Sequence, residues 1–125
     1  MSGGTEERAG EGQARGLEIL RQVYGDPAPG RDVFATTVER LFAEVWSRDR
    51  LSLRDRRLLL LGLLVGQDLD EALELQLDAS LRTGELTPEE LREIVVFLTF
   101  YAGWTRGAKL DARVERLIER FMNRG

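Results

Sequence analysis

From Gln13 onward, apolar residues recur at three- and four-residue spacings, the period of one face of an α-helix. Leu17, Leu20 and Tyr24 predict a first helix over Gln13–Tyr24, with Gly25 as its stop and Asp26-Pro27-Ala28-Pro29-Gly30 as a turn. A second helix opens near Asp32, a good N-cap, and carries the stripe Phe34, Val38, Leu41, Phe42 and Val45 to its end at Trp46–Ser47. Ser52 and Asp55 resemble a capping box that starts a third. Its second half, Leu58 to Val65, is apolar on every face. In a fourth, from Asp70 to Arg82, Leu73, Leu77 and Leu81 repeat every four residues before Thr83-Gly84. Thr87, Pro88 and Glu90 give the strongest start signal in the chain: N-cap, proline at the first helical position, and capping box. That fifth helix ends in Ile94 to Ala102, again apolar nearly all round. Gly103 breaks it from a last helix whose stripe is Leu110, Val114, Leu117, Ile118 and Phe121.

No strand-like alternation and no repeat interrupts this pattern. The expectation is an all-α bundle of about six helices over residues 13–125, preceded by a disordered tail over residues 1–12 that is rich in Gly and Glu. A helix apolar on every face must be covered all round. One small domain supplies too little cover for two such segments, so a partner subunit is expected. Neither apolar run is long enough to span a bilayer, and the N-terminus has no apolar core of a signal peptide. No membrane association is expected, and the cytoplasm is the default location.

Composition narrows the chemistry. The chain has no His and no Cys, and a net charge of −4. Without thiols there is no disulfide framework, CxxC pair or thiolate metal site. The acidic balance opposes nucleic-acid binding through Arg54, Arg56 and Arg57. Lys109 is the only lysine and falls on a surface helix face. Glu71, Glu74 and Asp78 share a helix face and read as solvated surface rather than a metal site. No metal and no cofactor is expected.

Four ordered stretches carry a resemblance. Phe42-Ala43-Glu44-Val45-Trp46-Ser47-Arg48 precedes Leu53-Arg54-Asp55-Arg56-Arg57-Leu58. Leu73-Glu74-Leu75-Gln76-Leu77 leads to Thr83-Gly84, then to Thr87-Pro88-Glu89-Glu90-Leu91-Arg92-Glu93, and Tyr101-Ala102-Gly103-Trp104 closes the set. The order and spacing resemble the carboxymuconolactone decarboxylase family and its AhpD-like fold, over roughly Gly16 to Ile118. The resemblance implies a subunit assembled into trimers or hexamers, and a small carboxylated or lactone-like ligand decarboxylated without cofactor. It also marks departures. The position of Gln76 is usually His in the decarboxylase branch, and a Cys is frequent near the position of Ala102. Thiol peroxidase activity is therefore not expected, because it needs a thiolate.

A cofactor-free decarboxylase must hold a carboxylate, stabilise an enolate oxygen and deliver a proton to carbon. Arg56 is the candidate for the first task, with an intersubunit ion pair to Glu44 as its plainer role; Arg54 and Arg57 read as solvated neighbours. Gln76 lies on the Leu73/Leu77 face. Its amide donates and accepts hydrogen bonds but transfers no proton at neutral pH. Glu44 beside Trp46 is the remaining acid if it is partly buried against the indole; otherwise it is a surface carboxylate. Tyr101 and Trp104 flank the helix break and stand as ligand-contacting aromatics or as core and interface residues. Two functions stay open: a divergent lyase with Glu44 and Gln76 at its centre and Trp46, Arg56, Tyr101 and Trp104 lining it, or a non-catalytic oligomeric protein that binds a small molecule or serves assembly.

Overall fold

The computed structural model of the chain describes residues 18–19, 21–23, 40 and 42–124, with only the backbone of Phe42. The expected tail over 1–12, the turn at 26–30 and most of the first two helices lie outside the described residues. Every regular element among those described is helical. The chain divides into two compact units, Met1–Leu53 and Arg54–Gly125.

In the first unit, Glu18, Ile19 and Arg21–Val23 are helical. Val23 is fully buried, with half-buried Ile19, Trp46 and Leu53 packed against it. The end of the expected second helix departs from α geometry: Phe42–Trp46 is a π-helical turn. The Ser47 hydroxyl donates to the carbonyl of Ala43 four residues back. That bond occupies an acceptor of the ordinary helical ladder where the helix terminates.

Four helices account for the second unit, the first of them starting at the last residue of the first unit: α1 (Leu53–Gly66), α2 (Asp70–Arg82), α3 (Pro88–Ala102) and α4 (Trp104–Arg124). Their bounds follow the local signals. Thr87 accepts from the backbone N–H of Glu90, at 3.1 Å, while the Glu90 carboxylate accepts from the backbone N–H of Thr87, at 3.0 Å. Two donors that the first turn would leave orphaned are thereby paired. Gly84 and Gly103 hold positive φ, 73° and 102°, where a Cβ would be strained; one closes the turn after α2 and the other ends α3.

The core is one cluster. α1 contributes Leu61, Leu64 and Val65, α2 contributes Leu73, Leu77 and Leu81, α3 contributes Leu91 and Val95, and α4 contributes Leu110, Val114, Leu117 and Ile118. Leu86, in the turn between α2 and α3, plugs the same core. Helix α4 packs against both α3 and α2. Its approach to α3 depends on Gly107, which is buried. A Cβ there would lie 2.8 Å from Cβ and Cγ2 of Thr99. Only the missing side chain lets the two backbones come this close.

The two segments that are apolar on every face are half covered. Leu59 and Leu63 of α1 are more than half exposed, and so are Val96, Phe97, Phe100 and Tyr101 of α3.

Replacing Gly107 with Ala gains up to about 1 kcal/mol of helix propensity. It also forces an overpacked contact that costs about 1–3 kcal/mol, so Gly107→Ala is expected to lower the thermal midpoint. Gly66→Ala is the control, since its Cβ would meet nothing within 4 Å. That variant is expected to match or exceed the wild type in the same calorimetric scan.

Candidate functional site

The buried stripe of α1 runs Arg57, Leu61, Leu64, Val65. These positions are spaced by four, three and one, so Arg57 occupies the first inward-facing position of the helix. Its side chain is 0% exposed. Reading Arg57 as a solvated neighbour of Arg56 is therefore incorrect. The Leu58–Val65 run is apolar on all faces and gives no phase from which the inward stripe could be extended back. Only the packing shows that position 57, and not 56, points to the core.

Arg57 is held by polar partners from two other elements. Its Nε donates to Oε1 of Glu85 at 2.8 Å. Its Nη1 donates to the side-chain Oε1 of Gln76 at 2.8 Å, and more weakly to the backbone carbonyl of Gln76 at 3.4 Å. Glu85 reaches inward because both its neighbours are fixed. Gly84 takes the positive φ, and Leu86 is buried with its N–H bonded to the carbonyl of Ser80 at 3.1 Å. Gln76 is 4% exposed and lies on the inward face of α2 with Leu73, Leu77 and Ser80. An arginine has only donors, so the atom of Gln76 nearest it must be the amide oxygen. The amide of Gln76 is thereby oriented, and its NH2 points away from Arg57.

The other residues selected from sequence are placed differently. Arg56 is half-buried. Glu44 lies in the π-helical turn and is solvent-exposed, so the burial against the indole expected of it is absent. Trp46 is half-buried in the small cluster around Val23. Tyr101 and Trp104 are each about four-fifths exposed. Core packing is thus excluded for both among the described residues. Tyr101 stacks obliquely on Phe97 at a centroid distance of 5.0 Å. In the second unit, then, Gln76 is gathered with Arg57 and Glu85, whereas Tyr101 and Trp104 belong to an exposed aromatic face.

Two carboxylates on the acidic face of α2 are paired with cations. Glu74 contacts Arg116 at 2.6 Å and Arg113 at 3.2 Å, and Asp78 contacts Arg82 at 2.8 Å. The hydrogen bond from Arg116, with the charges of Arg113 and Arg120, holds the Glu74 carboxyl below its ordinary value. Lys109, the lone lysine, is exposed and pairs with Asp68 and Asp70. A groove of about 400 Å³ opens beside α1 and α3. It is lined by Leu58, Leu86, Ile94, Phe97 and Leu98, with Arg54, Glu90 and Glu93 around it. Arg54 pairs with Glu90 there. No sequence signal marks this groove, because its lining comes from three segments that look like ordinary core.

A family model described as the carboxymuconolactone decarboxylase family matches residues 31–115, over half of the chain. The match includes all six residues selected from sequence as well as Arg57 and Glu85. No curated protein matches the chain, and no solved structure matches it.

Removing Glu85 takes away the carboxylate that pairs with a buried guanidinium. Glu85→Ala is expected to cost about 3–5 kcal/mol in denaturant unfolding, the usual result of breaking one side of a buried pair. Arg54→Ala, which breaks a solvent-facing pair, is expected to change stability little. Glu74 gives a pH dependence of definite sign. Its folded-state pKa lies below the ordinary 4.5, so the native state binds fewer protons than the unfolded state in acid. Its contribution is present above about pH 4.5 and is lost as pH falls through the lowered folded value. Glu74→Gln should flatten the acid limb of a plot of stability against pH; an unchanged limb would refute the assignment.

Proposed function

Because the chain belongs to the carboxymuconolactone decarboxylase family, we propose that it is a self-associating scaffold of that family that holds a small carboxylated or lactone-like molecule by hydrogen bonds, without a proton donor at position 76. The observation that carries this reading is the bond from buried Arg57 to the side-chain oxygen of Gln76. An amide so held can only donate and accept hydrogen bonds. It supplies no acid for protonating carbon at neutral pH.

Self-association is supported by the outer face of α3. Val96, Phe97, Phe100 and Tyr101 occupy positions i, i+1, i+4 and i+5, and Trp104 follows just past the break. With the exposures they have, these five side chains present on the order of 700 Å² of apolar surface at about 150–250 Å² for each large aromatic. The largest patch on a typical monomer is about 300–600 Å², and a stable interface takes about 800 Å² from each partner. A second copy of the chain is the proposed cover, and Tyr101 and Trp104 would then meet ligand or neighbour only in the assembly. Trimers and hexamers are the assemblies the resemblance implies.

A cofactor-free lyase is the second reading. It is favoured by the family match and by the carboxylate of Glu44, which falls inside the matched segment and is open to solvent. Arg56 and Trp46 would then orient the substrate.

The deciding experiment offers the wild type a panel of aromatic-catabolic lactones and keto acids and records both carbon dioxide release and the thermal midpoint. The expected result is a raised midpoint with at least one compound, near 2.7 kcal/mol of stabilisation at about a hundredfold excess over Kd, and no release above the blank. Rapid release would establish the lyase instead. In sedimentation, the wild type is expected to run as an oligomer and Phe100→Glu as a folded monomer; an unchanged assembly would remove the α3 face from the interface.

A further inference from the structure

We propose that Arg57 determines what position 76 can do: it holds that side chain as a hydrogen-bond acceptor toward the core, so the position supplies no acid at neutral pH, whichever of Gln or His stands there. The inference deepens the hydrogen-bonding role proposed for Gln76, but its test reads the pairing itself and needs no ligand.

The argument starts from the valence of the guanidinium. Arg57 is wholly buried, and a charged group without water must have each donor met by an acceptor. Glu85 meets Nε, and Nη1 is met by the side-chain oxygen of Gln76 at 2.8 Å, with the backbone carbonyl of Gln76 a weaker second acceptor at 3.4 Å. Any side chain at 76 that keeps the structure must therefore turn an acceptor atom toward Nη1. A glutamine does so with its amide oxygen. An imidazole does so only when neutral, through its unprotonated nitrogen, because imidazolium has two donors and no acceptor. Three effects then act in one direction on an imidazole introduced at this site. Burial disfavours the cation, the guanidinium repels it, and the hydrogen bond from Arg57 selects the neutral ring. One charged group opposes them. The carboxylate of Glu85, in the turn between α2 and α3, attracts a cation, but it is bonded to the Nε side of Arg57, with the guanidinium between it and Gln76. Arg57 from α1 and Glu85 from this turn are charged groups bonded at the site.

The chain offers a clean reporter, since it contains no histidine. Gln76→His introduces a single imidazole whose titration is read by NMR without assignment. The expected pKa is at least about one unit below the ordinary 6.5. In Gln76→His with Arg57→Leu, the cation is gone and Glu85 remains, so the expected pKa rises by more than a unit and reaches or passes the ordinary value. A pKa at or above about 6.5 in the single variant, or the same value in both, overturns the proposal.

A second pair of variants decides the matter if Gln76→His does not fold. Gln76→Glu keeps an acceptor for Nη1, and Gln76→Met has the same length but no acceptor. At pH 7 the first is expected to melt with or above the wild type, and the second about 5–15 °C lower, for the loss of one bond to a buried charge. Equal midpoints for the Glu and Met variants would overturn the proposal. If the lactone panel shows no binding while these shifts appear, the pairing stands and only the ligand reading falls.

Discussion

A guanidinium with no access to water organises the second unit. Taking Arg57 out of solvent is costly, and the surrounding chain is arranged to offset that cost. Glu85 supplies the counter-charge and Gln76 supplies a neutral acceptor, so one side chain ties α1 to α2 and to the turn that leads into α3. The turn has little freedom in return. Gly84 must take a positive φ, Leu86 must fill the core, and the carbonyl of Ser80 must accept the N–H of Leu86, or Glu85 would not reach inward. The same requirement explains a polar residue in the middle of the Leu73/Leu77 stripe. Gln76 is inside because something there needs an acceptor.

This arrangement restricts the chemistry at position 76. A donor-rich cation beside the site favours acceptors and repels positive charge, which is the reverse of what an acid delivering a proton requires. The carboxymuconolactone decarboxylase scaffold is retained, while imidazole and thiol side chains are absent from the composition. The aromatic residues after the capping box of α3 point the other way, out of the unit. The two features are complementary. A polar pairing fixes the interior, and a broad apolar face stays open on the exterior.

Most of the second unit is legible along the chain, for local reasons. The capping box at Thr87 and Glu90, the proline after it and the glycines at 84 and 103 act within a few residues of themselves, and each sets a boundary that the structure keeps. The stripes of α2 and α4 are equally plain, because Leu73, Leu77 and Leu81, or Leu110, Val114, Leu117 and Ile118, stand against polar neighbours that give the helix a phase. Helices α1 and α3 offer no such contrast. Leu58 to Val65 could face the core by any side, so the choice between Arg56 and Arg57 was invisible. Phe97, Tyr101 and Trp104 looked equally suited to a core, a pocket or an interface. Glu44 is exposed in the π-helical turn, and adjacency to Trp46 in sequence does not by itself fix burial.

The sequence by itself determined the all-helical class, the helix limits from Asp70 to the last turn, the family scaffold, and the absence of imidazole and thiol chemistry. These follow from local propensity, from periodicity and from composition, none of which needs a distant contact. Tertiary structure alone decided that Arg57 is the buried cation, that Glu85 and Gln76 are its partners, and that the aromatic face of α3 is open. These pairings join residues 19 to 28 positions apart in the chain. Their energies come from desolvation and from the direction of donors toward acceptors, and both are defined only once three elements have packed together.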